Sequence, residues 1–377
     1  MATSSKQPKL FCGISDDLTG GKTFNHMPDE VQLKIFQTLE IKDLICCAQV
    51  SKRTRRICHD ESMWKKVNVS EKVVPSEFIE MILENGCKYI NLQSSQIVGS
   101  LKLSRKDYDV KYLNLSNCRA DEGVLGKLIS SCQSLQKLSL ARLSLSSDAI
   151  NSCNYEQIQT LDLNSFRGLD LELMKKILSC KALTEFSFRN HPIQYNSDWL
   201  VQYFVENVSS DVEKVSIGGM TCLNDKHVKI LVKRCKKIKE LELCGCRSIT
   251  GNSLTSIARH SEQLVKLDVS MASIFGTPEQ LPLLEFEFFF DFKSRASLKV
   301  LNCQHPKRSP PEIGHLRKLM PQVIINLDAF GGDLGIANPN KHTQFSDRTQ
   351  IQTFLSNESF DPNQITTKPE FGLWEKK

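Results

Sequence analysis

No stretch of this 377-residue chain approaches the roughly 20 uninterrupted apolar residues that a bilayer span requires. The opening segment, MATSSKQPKLFCGISDDLTGGK, lacks an apolar h-region, so routing to secretion is not expected. Charge of one sign is scarce too. A net charge of +6 permits contact with nucleic acid or acidic partners without arguing for either. The spacings that mark enzymes are missing: there is no GxSxG, HExxH, P-loop or dinucleotide fingerprint. The GGDLG run at Gly331 is too short and wrongly placed to cradle a phosphate. With 40% hydrophobic and 24% charged residues, the composition excludes a collagen-like, coiled-coil or largely disordered chain. Cysteine, by contrast, is plentiful at 14. In a reducing compartment it serves as a small core residue, a metal ligand or a nucleophile rather than a disulfide.

What is present, above all, is repetition. The pattern apolar-x-x-apolar-x-apolar starts at Val110, Leu135, Ile158, Leu183, Val212, Ile238, Leu264 and Leu298. Start-to-start spacings are 25, 23, 25, 29, 26, 26 and 34 residues, and all but the last fit the ~20–29-residue period of leucine-rich repeats. Weaker copies begin at Cys87 and Met320. The apolar-x-apolar ending alternates as a strand does. Helical periodicity fills Gly123–Ser131, Leu173–Leu178, Asp198–Val208, Lys226–Val232, Leu254–His260 and Glu312–Leu319. One strand and one returning helix cannot bury their inner face alone, so stacked copies must share a long core. The expected fold class is therefore α/β: a leucine-rich-repeat solenoid, or horseshoe, with strands lining the concave side.

The cysteines follow the same rhythm. Cys132, Cys180 and Cys235 each lie three residues before a repeat's first apolar position, and Cys118 and Cys246 lie eight after it. Thiols repeated in register read as stacked core residues. A zinc site from Cys235, Cys244 and Cys246 is the alternative, disfavoured because no paired CxxC cluster exists. No metal or other cofactor is expected. The 34-residue gap holds LPLLEFEFFFDF, whose Leu284, Phe286, Phe288, Phe290 and Phe292 alternate. It is either a distorted repeat filling the core or an exposed aromatic ledge.

Ahead of the repeats, Met27–Val67 carries three short amphipathic helices. Pro28 suits a first helical position, and Asp29 and Glu30 suit the positive helix end. Val31, Ile35 and Leu39 form a four-residue stripe flanked by Leu33 and Phe36. Further helices are expected over Asp43–Val50 and Lys52–Asp60, with Trp64 closing the bundle. About forty residues make a small core that leaves apolar surface for a partner.

This module resembles the F-box at Met27-Pro28, Glu30, Ile35, Leu39, Asp43-Leu44, Val50, Lys52-Arg53, Ile57, Asp60-Glu61-Ser62 and Trp64. Thr54 departs from it, standing where many F-boxes place tryptophan. CKKIKELELCGCRSITGNSLTSIA (Cys235–Ala258) resembles the cysteine-containing repeat of the same family, the F-box/leucine-rich-repeat proteins. The resemblance implies a small three-helix F-box at 23–66, repeats over 67–328, a C-terminal tail over 329–377 and a disordered segment over 1–22. It implies docking through Pro28, Leu33, Ile35, Phe36 and Leu44 onto the adaptor of a cullin-type (SCF) ubiquitin ligase, with Val31 and Leu39 as bundle core. It also implies a non-catalytic substrate receptor in nucleus and cytoplasm. The targets would be phosphorylated cell-cycle proteins, read with a Cks-type accessory subunit. In one branch of the family the tail folds back over the concave face.

The outward strand positions would carry substrate binding. They include Lys137, Asp162, Asn164, Glu185, Arg189, Lys214, Glu240, Glu242, Lys266, Asp268 and Gln304. Asp162, Arg189, Lys214, Glu242, Lys266 and Asp268 are the candidate substrate-binding residues. Arg189, Lys214 and Lys266 suit an acidic or phosphorylated peptide. Lys226–Lys239 has seven Lys/Arg and no carboxylate, but no aromatic residues interleave, so it reads as a solvated outer face rather than a nucleic-acid site. The tail, with Phe345, Phe354, Phe371 and Trp374, is either docked or disordered. A non-ligase repeat scaffold or inhibitor is the competing class.

Overall fold

The computed structural model describes residues 24–39, 41–189, 198–272, 292, 297–303 and 316–326. The Phe-rich segment before Phe292, Gln304, the first 22 residues and the tail lie outside the described residues. The chain divides into two units between Met63 and Trp64.

The first unit holds helices α1 (Asp29–Phe36), α2 (Ile41–Val50) and α3 (Lys52–Cys58), and the short α4 (Glu61–Trp64) runs across the boundary. Its core includes Phe36, Leu44, Ala48, Ile57 and Cys58. Asp29 does more than favour the positive end of α1. Its Oδ1 accepts from Arg53 Nε at 2.8 Å and its Oδ2 from Arg56, while Arg53 Nη2 donates to the Met27 carbonyl at 2.6 Å. These bonds tie α3 to the start of α1. Thr54 also has a use that tryptophan could not serve. It completes a capping box with Ser51, accepting from Ser51 N at 3.0 Å while Ser51 Oγ accepts from Thr54 N at 3.1 Å. Such a cap is worth about 1 kcal/mol.

In the second unit, an 11-stranded parallel sheet of three-residue strands runs in chain order among the described residues. Its members are β1 (Lys66–Asn68), β3 (Tyr89–Asn91), β5 (Tyr112–Asn114), β6 (Lys137–Ser139), β7 (Thr160–Asp162) and β8 (Glu185–Ser187). It continues with β9 (Lys214–Ser216), β10 (Glu240–Glu242), β11 (Lys266–Asp268), β12 (Val300–Asn302) and β13 (Ile324–Asn326). A short edge pair joins β2 (Val73–Pro75) and β4 (Gln96–Val98). Parallel neighbours demand crossovers. These are supplied by α5 (Ser76–Glu84), α6 (Glu122–Ser131), α7 (Ser147–Ile150), α8 (Leu171–Leu178), α9 (Asp198–Asn207), α10 (Asp225–Arg234) and α11 (Gly251–His260). Residues 316–319 are helical too, inside the expected Glu312–Leu319. Caps fix the helix starts: Asp170 Oδ1 accepts from Leu173 N at 2.8 Å, and Asn224 Oδ1 from Lys226 N at 3.0 Å.

The middle residue of every strand points into the core, and the register stacks them in one line. Ile90, Leu113, Leu138, Leu161, Phe186, Val215, Leu241, Leu267 and Leu301 are each at most 2% exposed. Helices complete that core, as where Phe186 stacks on Phe204 at 4.8 Å. Among the described residues, the turns after β1, β3, β5, β6, β7, β9, β10 and β11 adopt a positive φ three residues on, at Glu71, Ser94, Asn117, Arg142, Ser165, Gly219, Gly245 and Met271. Asn91, Asn114, Asp162 and Asp268 each accept from the backbone N–H two residues ahead, which holds that turn.

Two repeat boundaries differ from expectation. Trp64, expected to close the helical bundle, falls in the second unit and opens the first repeat. WKKVNV has the same spacing with tryptophan in the leading place, and β1 pairs with β3 through Val67 and Ile90. Trp64 is 3% exposed and meets Phe78 edge-on at 6.1 Å. At the other end the copy beginning at Met320 is out of register by two, because Ile325, not Val323, lies opposite Leu301.

The in-register cysteines are core residues. Cys87, Cys132, Cys235 and Cys246 are at most 1% exposed, and burial pushes their thiols up to about 12. Several donate to carbonyls of the preceding repeat, Cys180 Sγ to Ile158 O at 3.2 Å and Cys246 Sγ to Ile217 O at 3.5 Å. Burial therefore gives protonated donors, not metal-binding thiolates.

Candidate protein-interaction surfaces

On α1, Gln32 and Phe36 face inward, which turns the opposite stripe outward. Gln32 Nε2 donates to the carbonyls of Phe24 at 3.0 Å and Met27 at 3.2 Å. The stripe runs through Pro28, Val31 and Ile35, with Val31 43% and Ile35 39% exposed. Leu33 and Leu39 are half-buried. Two expectations change. Val31 was expected in the core and is presented instead. Phe36 and Leu44, expected to insert into a partner, are each 4% exposed and brace the module from within. The cause is the buried glutamine: once Gln32 satisfies the backbone before α1, its side of the helix faces inward. A hydropathy pattern places a glutamine on the surface, so the sequence pointed the helix the wrong way.

On the repeat unit, the first and third residues of every strand face away from the helices and form two rows across the sheet. The candidate residues all fall on or beside these rows between β7 and β11. In the first row Glu185, Lys214, Glu240 and Lys266 are successive neighbours. Lys214 Nζ lies 3.4 Å from Glu185 and 3.7 Å from Glu240, and Lys266 Nζ lies 3.8 Å from Glu240. In the third row Glu242 takes Lys266 at 3.4 Å, Arg189 at 3.5 Å and the Ser216 hydroxyl at 2.8 Å. Burial alone would raise the Glu242 pKa, yet Arg189, Lys266 and these hydrogen bonds hold it below its ordinary value. Asp268, beside it and 8% exposed, goes the other way: burial raises its pKa despite bonds from Ser270 and Asn302. Asp162 Oδ2 accepts from Ser139 Oγ at 2.9 Å, and Asn164 Oδ1 accepts from Ser187 Oγ and Arg189 N, both at 2.7 Å.

The six candidates thus form one continuous patch, but its charge is compensated within itself. Arg189, Lys214 and Lys266 meet Glu185, Glu240 and Glu242 because parallel register sets each cation between carboxylates. That spacing of opposite charges is legible only once the repeats are aligned strand on strand. Elsewhere, the basic run Lys226–Lys239 is partly engaged as well, beyond the end of α10: Lys237 pairs with Asp211 at 2.6 Å and Lys239 with Glu213 at 2.8 Å. Among the described residues no group of three or more His, Cys, Asp or Glu is arranged to hold a metal ion, and no helix is long and apolar enough to cross a membrane.

Comparison with known proteins accounts for both units. The F-box-like family matches residues 24–70, and the SKP2 LRR domain matches residues 77–349. F-box/LRR-repeat protein 21 of Arabidopsis thaliana is 30% identical over 38% of this chain and 51% of its own length, so the chain spans about half of that relative. F-box/LRR-repeat protein 12 of Mus musculus is 21% identical over 70% of this chain and 78% of its own. Among solved structures, a leucine-rich-repeat protein of Leptospira interrogans aligns with 16% identity and a TM-score of 0.38, over 68% of this chain and 75% of that one. Internalin C2 of Listeria monocytogenes aligns with 11% identity and a TM-score of 0.34, over 68% and 89%. Those two scores are too low to bear on the conclusion. The repeat-domain match, spanning well over half of the sequence behind a matching helical module, means that the chain belongs to the F-box/leucine-rich-repeat proteins of the SKP2 LRR-domain family.

Proposed function

We propose that this chain is the substrate-recognition subunit of a cullin-type ubiquitin ligase. The observation that carries the reading is the joining, in one chain, of an F-box-like match at 24–70 and an SKP2 LRR-domain match at 77–349. The outward α1 stripe of Pro28, Val31 and Ile35, with Leu33 beside it, docks on a Skp1-type adaptor and through it on cullin. The open sheet face holds a target protein. The chain itself breaks no bond; it raises the local concentration of target lysines near the conjugating enzyme.

In this proposal the targets are phosphorylated cell-cycle proteins destined for proteasomal degradation in nucleus and cytoplasm. A Cks-type accessory subunit supplies phosphate recognition. Arg189, Lys214 and Lys266 are each engaged by carboxylates, so a phosphate arriving there must displace a glutamate first. The test is reconstitution with purified adaptor and cullin. Co-elution of all three is expected, and deletion of 24–60, which spares Trp64 and β1, abolishes it while target capture by the repeats survives. A folded full-length chain that ignores the adaptor at micromolar concentration removes the ligase role and leaves a repeat scaffold.

A further inference from the structure

The helices of the second unit bury one face and turn the other to solvent, and on α10 and α11 that outer face is cationic. In α10, His227, Val228, Leu231 and Val232 point inward, which sets Lys226, Lys229 and Lys233 in a line on the exposed side. Lys236, just past the helix end, extends the line, and exposed Arg259 and half-buried His260 stand at the end of α11. The two helices lie side by side and are tied at both ends. Asp225 accepts from Thr250 N at 2.7 Å and from Thr250 Oγ1 at 2.6 Å, and Lys236 Nζ donates to the His260 carbonyl at 3.4 Å.

Charge here is not compensated as it is on the sheet face. Among the described residues, Lys226, Lys229, Lys233, Lys236 and Arg259 make no ion pair, whereas Lys237 and Lys239 next to them are each held by a carboxylate. The carboxylates on the strip are Asp225, committed to Thr250, and exposed Glu262 beyond α11, so five cations face two acids. His260 feels the excess: slight burial, then Lys236, Lys233, Lys229 and Arg259, hold it below the ordinary histidine value. Helix dipoles explain part of the arrangement. A cation is favoured in the last turn, as at Lys233 and Arg259, but Lys226 stands in the first turn of α10, where the dipole opposes it.

The dimensions and composition of the strip select the partner. It is two helices wide, about 20 Å, and Lys226 to Lys236 spans about 15 Å along it. Helix α9 bounds it with exposed Asp198 and Glu206, so a flat anionic membrane laid across the helices would meet carboxylates. Neither α10 nor α11 carries Phe, Tyr or Trp to stack bases. Four of the five cations are lysines, point charges on flexible stems rather than the arginine forks that grip phosphate. The apolar side chains of both helices are buried or, at Ile230, half-buried, so a folded partner would find little to pack against. We propose that this strip on α10 and α11 binds a disordered acidic segment of a partner protein, a run of Asp and Glu crossing it as an extended chain. About four to six residues of such a chain span it at ~3.4 Å each, and alternate carboxylates reach successive lysines. This surface lies on the helix side, away from the sheet face, so its test stands whether or not the ligase reading holds.

The experiment is fluorescence polarisation of a labelled dodecapeptide of alternating Asp and Glu against the full-length chain at low salt. The comparison probes are a Gln/Asn dodecapeptide, a single-stranded RNA of similar length and vesicles containing phosphatidylserine. Saturable binding of the acidic peptide is expected, weakened about tenfold or more between about 50 and about 300 mM salt. Lys229→Gln, Lys233→Gln and Arg259→Gln together weaken it about tenfold. Lys237→Gln with Lys239→Gln, which removes ammonium groups already paired, changes it by less than about twofold. Circular dichroism of both variants matches the parent, since the substituted side chains lie at the surface. Absence of saturable binding to the acidic peptide at low salt overturns the proposal. So does an equal loss in the two variants, which would reduce the effect to net charge. Tighter binding of the RNA or the vesicles than of the peptide also overturns it, by assigning the strip to another class of partner.

Discussion

Substituting Val31→Ala with Ile35→Ala tests the orientation of the first helix and the docking reading together. Their exposures of 43% and 39% set the magnitude. Full burial of a large aliphatic side chain contributes about 1.5–3 kcal/mol, so covering the remaining two-fifths contributes about 0.6–1.2 kcal/mol each. Together the pair contributes about 1–2.5 kcal/mol, roughly a 5- to 60-fold rise in the Kd for the adaptor. About three-fifths of each side chain is already covered in the free chain, so the double variant also loses part of the module's stability, and circular dichroism must show it folded before it is titrated. Phe36→Ala is the contrasting variant: at 4% exposure it costs about 3–5 kcal/mol of stability and weakens docking only by unfolding the module. Calorimetric titration of purified adaptor into each folded variant reads the difference. A Kd for the double variant within twofold of the parent, with circular dichroism unchanged, would refute the claim that this stripe is the docking face.

Other expectations are independent of that one. Gly168→Ala is strongly destabilising, by more than about 2 kcal/mol, because φ there is +111° and an added Cβ would lie 1.7 Å from the Leu145 carbonyl; chemical denaturation measures it. Cys87, Cys132, Cys235 and Cys246 resist dithiobis-nitrobenzoate in the native chain. With pKa values near 12, about one thiol in ten thousand is ionised at pH ~8, whereas exposed Cys46 reacts at once. Carboxyl chemical-shift titration should show Asp268 protonating above, and Glu242 below, the ordinary value of its residue type. The signs follow. Glu242, depressed, adds stability that is complete above 4.5 and is lost as pH drops through its lower folded value; Asp268, raised, costs stability at neutral pH and gives it back on protonation. A Glu242 midpoint at or above the ordinary glutamate value would mean that the Arg189–Glu242–Lys266 contacts do not persist in solution.

The sequence by itself determined the repeat fold and most of its elements. Leucines at a period near 25 residues can be buried only by stacking, so spacing alone specified strand, return and neighbour. Helices expected at Asp198–Val208 and Leu254–His260 form at Asp198–Asn207 and Gly251–His260 for that reason. The first repeat was missed because Trp64 stands where the others have leucine, cysteine or another aliphatic residue. Tertiary structure decided which way each surface faces. A buried glutamine rotated α1 so that Val31 points out and Phe36 in, and no hydropathy pattern encodes that. Strand register decided which charges meet. Glu185, Lys214, Glu240 and Lys266 lie 26 to 29 residues apart in sequence and about 5 Å apart across the sheet, so their mutual neutralisation exists only once the strands are laid side by side.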